Sequence, residues 1–304
     1  MYGKFMNTRN FIGYGANPPD PKWPNKSRIA INFVINVEEG SEYSPLFGNE
    51  SSEAGLSEVP GGRHKKNQRD LGIESIYEYG SRSGFWRIVN IFDKNKIPVT
   101  YFVCAEALEK NPKITEYIKK SKNDICAHGY RWAEHFKMTK NVEKENIRKA
   151  FNLIVKLTNK QPLGWYCRYA PSIYTRELLI KHGKFVYDSD AYNDDLPYWV
   201  MVKNKKHLVI PYAFDTNDVQ FKLPSGFSGA KQFSEYICDT FDKLYREGKY
   251  SPKMFSIGLH PRLIGRPGRS IALEKIVKHI KSFKKVWFCN RADIAFHWIK
   301  NFKS

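Results

Sequence analysis

The 304-residue chain has no apolar run approaching the roughly 20 residues that a membrane-spanning helix needs. Its first residues, Met1-Tyr2-Gly3-Lys4-Phe5-Met6, lack the apolar core of a secretion signal. A membrane span and a secretory route are set aside, and a soluble, cytoplasmic chain is expected. Cysteine is scarce: the five residues Cys104, Cys126, Cys167, Cys238 and Cys289 are odd in number and never spaced as Cys-x-x-Cys. That argues against a disulfide framework and a paired-cysteine zinc site, and for free thiols in a reducing compartment. Linker composition, internal repeats, a basic tail, a helix-turn-helix signature and the aromatic box of ribonucleoproteins are also missing. The formal charge of +19, from 50 Lys and Arg against 31 Asp and Glu, would otherwise suggest nucleic acid. Its cations come in short scattered groups such as Lys65-Lys66 and Lys284-Lys285, interrupted by acidic and apolar residues. The excess reads as a solvated surface, and no nucleic-acid partner is expected.

What is present is apolar matter, 41% of the residues, enough for one large core. Residues 28–36 form a β-branched apolar run of the kind buried on both faces of a sheet. Ile73, Ile76, Tyr77, Phe85, Ile88, Val89 and Phe92 then recur at helical spacing over 73–94. Strands are expected at 98–104, 124–127, 163–167, 184–188, 208–211, 253–259 and 285–289. Helices are expected at 106–120, 142–158, 230–247, 269–282 and 291–302. This alternation predicts an α/β fold, a parallel sheet covered by helices in one barrel-like domain spanning 1–304, with 1–27 packed on it as an extension. In such folds chemistry sits at the carboxyl ends of the strands.

Four of those ends carry polar chemistry. Asn36 and Glu38 point the same way if the first strand runs through them. His128 stands at a strand tip followed by Gly129. An aromatic strand presents Arg168, whose paired donors suit a carboxylate or a urea-like carbonyl. His260 ends the strand before Pro261. Each residue alone also fits a plainer role: a loop carboxylate, a histidine bonded to a carbonyl, a surface ion pair. Together they form a constellation that suits a catalytic site. The long 43–72 loop, with Glu53, Glu58 and Arg63, lies within reach of it. The acidic segment 188–195 either orients these groups or is a turn rich in capping residues.

Longer motifs accompany the strand ends: Gly13-Tyr14-Gly15-Ala16-Asn17-Pro18-Pro19, Glu74-Ser75-Ile76-Tyr77-Glu78-Tyr79-Gly80-Ser81-Arg82, Asp194-Asp195-Leu196-Pro197-Tyr198-Trp199, Asp215-Thr216-Asn217-Asp218 and Gly265-Arg266-Pro267-Gly268-Arg269. In this order they resemble the polysaccharide deacetylase (NodB homology) superfamily, and within it the metal-independent allantoinases of uric acid degradation. The resemblance implies the superfamily's distorted (β/α) barrel, a homotetramer and a role in purine catabolism. Ordinary deacetylases hold a metal through an Asp-x-Asp pair and a His-x-x-x-His pair. The corresponding positions here are Asn36, Glu38, His128 and Trp132. Asn is no base at neutral pH, and indole offers no lone pair to a metal. No cofactor is therefore expected. The weaker alternative is a divalent ion such as zinc at Glu38 and His128, with His135 or an Asp completing the set.

On this reading Glu38 is the general base, its pKa raised by desolvation beside Trp132. His128 bonds to Glu38 or to the attacked carbonyl, and His260 protonates the leaving nitrogen. Asn36, Trp132, Arg168, Pro171 and Arg262 contact the substrate, Arg262 favouring the carboxylate of the product. The implied substrate is allantoin, a small neutral cyclic ureide opened to allantoate. Around the Trp165-Tyr166 pair the sequence departs from these allantoinases, at Pro171 and Tyr174 among others, and Pro261 replaces their Cys after the late-strand His. Two alternatives follow: an N-deacetylase or deformylase of an amino sugar, and a non-catalytic sugar-binding barrel.

Overall fold

A computed structural model describes residues 9–58 and 66–302. Arg63, residues 1–8 of the expected extension and the last two residues of the chain lie outside them. Strand β1 (Ile29–Val37) is buried along all nine residues, as its unbroken β-branched sequence requires. Its odd-numbered side chains, Ile29 to Val37, join the larger apolar cluster under the helices. Ala30 and Val34 face the other way, toward Phe102, Cys126, Tyr166 and Tyr212 inside the curl of the sheet. Asn32 and Asn36 share that inner face.

The remaining strands are β2 (Val99–Val103), β3 (Asp124–Ala127), β4 (Gly164–Trp165), β5 (Tyr187–Asp188), β6 (Tyr198–Val202), β7 (Lys205–Val209), β8 (Lys253–Leu259) and β9 (Val286–Phe288). They form one sheet ordered β6-β7-β5-β4-β3-β2-β1-β8, with β9 paired to the first residues of β1. All pairings are parallel except the β6-β7 hairpin. The sheet curls into a half-barrel, the barrel-like α/β arrangement expected from the sequence. Among the described residues no helix is long and apolar enough to cross a membrane.

Around the sheet lie α1 (Leu71–Tyr79), α2 (Phe85–Asn95), α3 (Ala105–Lys110), α4 (Pro112–Lys120), α5 (Lys140–Thr158), α6 (Thr175–His182), α7 (Ala230–Glu247), α8 (Pro267–Lys281) and α9 (Arg291–Asn301). The helix expected over 73–94 is interrupted by a π-helical turn at Gly80–Gly84. A Cβ on Gly84 would lie 2.0 Å from the carbonyl oxygen of Pro261, so glycine there lets this turn press against the loop after β8. The helix expected over 106–120 breaks at Asn111, which caps α4 ahead of Pro112. Helix α6 and strand β6 were not expected; β6 is only half-buried, and its pattern is correspondingly weak.

A capping box between Asn290 and Asp293 fixes the start of α9. Its first residue, Arg291, turns wholly inward. The guanidinium reaches Asn32 Oδ1 and Ser256 Oγ at 2.9 Å, Ser189 Oγ at 3.1 Å and the carbonyls of Ile210 and Pro211. Upstream of β1, Trp23 is buried against Trp287, His297 and Trp298, and Tyr14 donates to the carbonyl of Pro197 at 2.6 Å.

Candidate active site

Parallel register brings the strand tips to one level. Val37 pairs with Val103, Val103 with Ala127, and Ala127 with Trp165, so the next residues, Glu38, His128 and Tyr166, share the carboxyl edge. On the other side Ile35 pairs with Leu259, which sets His260 beside Asn36. The result is a narrow cleft lined by Asn36, Glu38, His128, Trp132, Arg168 and His260 together with Tyr166, Tyr169, Tyr212, Phe214 and Asn217.

Glu38 is its centre and is 1% exposed. Oε1 lies 3.1 Å from His128 Nε2 and 3.5 Å from His260 Nε2. Oε2 lies 2.7 Å from Arg262 Nη2, an ion pair off hydrogen-bond alignment. Burial raises the Glu38 pKa, but Arg262, His260 and His128 outweigh it and hold the carboxyl well below the usual range. The expectation of a raised pKa at Glu38 is thus reversed, because desolvation comes with a guanidinium.

Arg262 supplies that correction. It was expected to face the product, yet it is 0% exposed and does not line the cleft. The turn after β8, in which Leu263 and Ile264 both donate to the carbonyl of His260, brings the Arg262 backbone N–H to Glu39 Oε1 at 3.3 Å. Arg262 is held there by Glu38, by Glu39 Oε1 at 3.3 Å and by the carbonyl of Leu56 at 3.2 Å. Pro171 is also placed away from the cleft, in the half-buried turn before α6.

His128 donates from Nδ1 to the carbonyl of Tyr166 at 3.0 Å and stacks on the Tyr166 ring. His260 is oriented by Asp218, whose Oδ1 lies 2.6 Å from Nδ1 and whose Oδ2 accepts the His260 backbone N–H at 2.7 Å. Burial would lower the pKa of His260, but Glu38 and Asp218 raise it to about 9, so the ring is an imidazolium at neutral pH. In the sequence Asp218 stands out only as part of a motif. Its role was hidden because it sits on a short helical turn 42 residues before the histidine it serves. Tyr166, Tyr212 and Asn217 were likewise not assigned.

Arg168 lies flat on Trp132, 3.6 Å from the ring centroid. Its fork is bound to Glu53 at 2.7 and 2.9 Å and to the carbonyl of Trp132. It therefore pins the 43–58 segment over the cleft and presents the aromatic wall. Glu58 pairs instead with Arg266 and Arg269. Of the acidic segment, Asp188 binds Arg176 and His207, and Asp190 accepts the Cys167 N–H.

The donor set does not suit a metal. Trp132 has no lone pair to offer, Asn36 brings a neutral amide where a metal site would want a carboxylate, and a guanidinium already neutralises Glu38. His135 does not join them. It faces Glu143, 3.4 Å from Nδ1, and Glu143 also accepts from Thr175 and Ser172.

The polysaccharide deacetylase family model matches residues 65–183. A chain of Schizosaccharomyces pombe named "Putative polysaccharide deacetylase" is 39% identical over 314 residues, covering 96% of this chain and 97% of that one. The crystal structure of PuuE allantoinase is 46% identical with a TM-score of 0.94, covering 97% and 98% of the two chains. That of a probable polysaccharide deacetylase from Pseudomonas aeruginosa PAO1 is 45% identical with a TM-score of 0.94, covering 97% and 99%. On these full-length matches the chain belongs to the polysaccharide deacetylase family and is a hydrolase of carbon–nitrogen bonds other than peptide bonds.

Proposed function

We propose that the protein is a metal-independent allantoinase, opening the ring of allantoin to allantoate. The observation that carries this reading is Glu38, ionised between His128, His260 and Arg262, at a site whose Asn36 and Trp132 suit no metal. The lining of the cleft supports it. Trp132, Tyr166, Tyr169, Tyr212 and Phe214 give it flat aromatic walls of the kind that receive one planar ring.

Hydrolysis needs a base for water, an acid for the leaving nitrogen and a donor for the oxyanion. Glu38 takes one proton of the attacking water as its oxygen bonds to the ring carbonyl carbon. His260 gives its Nε2 proton to the ring nitrogen as the carbon–nitrogen bond breaks. The Glu38–His260 contact of 3.5 Å then returns the proton from carboxyl to imidazole and restores both groups. Asn36, Trp132 and Arg168 shape the wall against which the ring lies. The low pKa of Glu38 keeps it ionised over the whole neutral range, so the base is always in its accepting form.

The test is allantoin hydrolysis by purified protein with and without a chelator, paired with metal analysis. Ring opening that survives the chelator is expected. Chelator-sensitive release of acetate from an N-acetylated amino sugar, with no ring opening, would overturn the reading in favour of a deacetylase. The homotetramer and the cytoplasmic, purine-catabolic setting belong to the same proposal, and sedimentation checks the assembly.

A further inference from the structure

We propose that Tyr212 is the oxyanion donor, its phenolic hydroxyl giving a hydrogen bond to the carbonyl oxygen under attack. This rests on the hydrolytic reading above. With no metal to polarise the carbonyl, some fixed donor must meet the charge that develops on that oxygen. Most donors in the cleft are already committed. Both nitrogens of His128 are engaged, by Tyr166 and Glu38. The two Nη groups of Arg168 serve Glu53 and the carbonyl of Trp132, and its remaining N–H, on Nε, belongs to a guanidinium already held by that fork and stacked on Trp132. His260 Nε2 faces Glu38 and supplies the leaving nitrogen.

Tyr212 differs. Its Oη accepts from Asn36 Nδ2 at 3.3 Å and from Asn217 Nδ2 at 3.1 Å. The orientation of each carboxamide is fixed by the backbone. Asn36 Nδ2 also donates to the carbonyl of Leu259, and Asn217 Oδ1 accepts the N–H of Val219 at 3.0 Å. An amide NH2 can only donate, so both lone pairs of the phenol oxygen are filled. Its own proton meets no acceptor among the described residues, and the side chain lines the cleft with Glu38 and His260. Burial disfavours the phenolate and keeps that proton in place.

The position is also built. At Gly258 a Cβ would fall 2.3 Å from Tyr212 Oη and 2.2 Å from Asn217 Nδ2, so only glycine there lets the pair close on β8. The Tyr212 N–H donates to the carbonyl of Ala191 at 2.7 Å, and Arg291 holds the two carbonyls before it. In the reaction the carbonyl π pair moves onto oxygen as water adds to carbon. Tyr212 stabilises that oxygen without transferring its proton. The water proton goes to Glu38 and the nitrogen receives one from His260.

Tyr212→Phe keeps the ring and deletes only the donor. In the allantoin assay kcat should fall by about 10²–10³, the usual loss for one oxyanion donor, with KM within about threefold. Binding of hydantoin, the bare five-membered cyclic ureide, and the thermal midpoint should hold. A kcat within about threefold of the parent overturns the assignment. If that variant does not fold, Asn217→Asp reads the same point: it leaves the hydroxyl but offers its proton a carboxylate, so kcat should drop and an unchanged value overturns the proposal. If the parent protein opens no cyclic ureide, the substrate reading fails alone, and the variants are assayed on the amide it does cleave. A parent protein with no amide hydrolysis at all overturns both.

Discussion

Among the described residues two guanidinium groups lie wholly inside the molecule, one at the foot of the half-barrel and one at its mouth, and they keep different company. Arg291, at the foot, meets only neutral acceptors: an amide oxygen, two hydroxyls and two carbonyls. Arg262, at the mouth, meets two carboxyl groups, Glu38 and Glu39. None of the groups bonded to the Arg291 guanidinium titrates, and the carboxyl its charge acts on, Asp124, raised by burial to about 6, is not among the residues lining the cleft, so Arg291 locks β1, β8 and the 210–211 backbone together. Arg262 shares its charge with the group that moves a proton, and so it sets when that group is ionised. Burial of an arginine therefore says little about its role; the partners decide whether it fastens or tunes.

The sharpest break in this comparison would come from Glu38. Glu38→Gln keeps the size and a hydrogen-bonding end but can neither accept the water proton nor pair with Arg262. Turnover should fall by about 10³-fold or more, in the range for losing a general base, while the protein stays folded. A Gln variant with a near-normal rate would remove Glu38 as base and leave Arg262 with nothing to tune.

Next in size is the effect of Arg262 on the pH dependence of kcat/KM. The parent enzyme needs Glu38 ionised and His260 protonated. Activity should persist to a pH below the ordinary carboxylate range and be lost as pH rises through about 9, where His260 gives up its proton. Arg262→Met removes the guanidinium but not the desolvation, which by itself raises the pKa of Glu38. The acid limb should move to higher pH, with Arg262→Lys between the two. If both variants keep the acid limb of the parent, Arg262 is merely a lock like Arg291.

The sequence exposed these regions unevenly. Asn36, Glu38, His128 and His260 were readable because a buried strand announces itself by composition and a polar residue at its tip stands out. The inner and outer faces of β1 followed from the twofold alternation of a strand. The place of Arg262 could not be read in that way. Its direction depends on the turn after Pro261 and on the π-helical turn at 80–84 packing against it, a contact between segments about 180 residues apart. Asp218 was equally hidden, since an orienting carboxylate leaves no periodic trace. The inward turn of Arg291 came from a capping box that is visible in Asn290 and Asp293, but what it reaches inside the barrel is tertiary.

The smallest effect on the chemistry, and the largest on the fold, should come from Arg291. Arg291→Met strands the acceptors of Asn32, Ser189, Ser256, Ile210 and Pro211 in the interior, each worth about 1–3 kcal/mol when left unmet. Relaxation and entering water recover part of this, so a loss on the order of 3 kcal/mol or more in unfolding free energy is expected. The residual activity should fall in amplitude, because the backbone before Tyr212 loosens. Its pH limbs, however, should stay where they are in the parent, since no ionisable partner of Arg291 takes part in proton transfer. Denaturant unfolding and a pH–rate profile on the same preparation read both. A shifted limb in Arg291→Met would mean that foot and mouth are electrostatically one site, and the division drawn between the two arginines would fail.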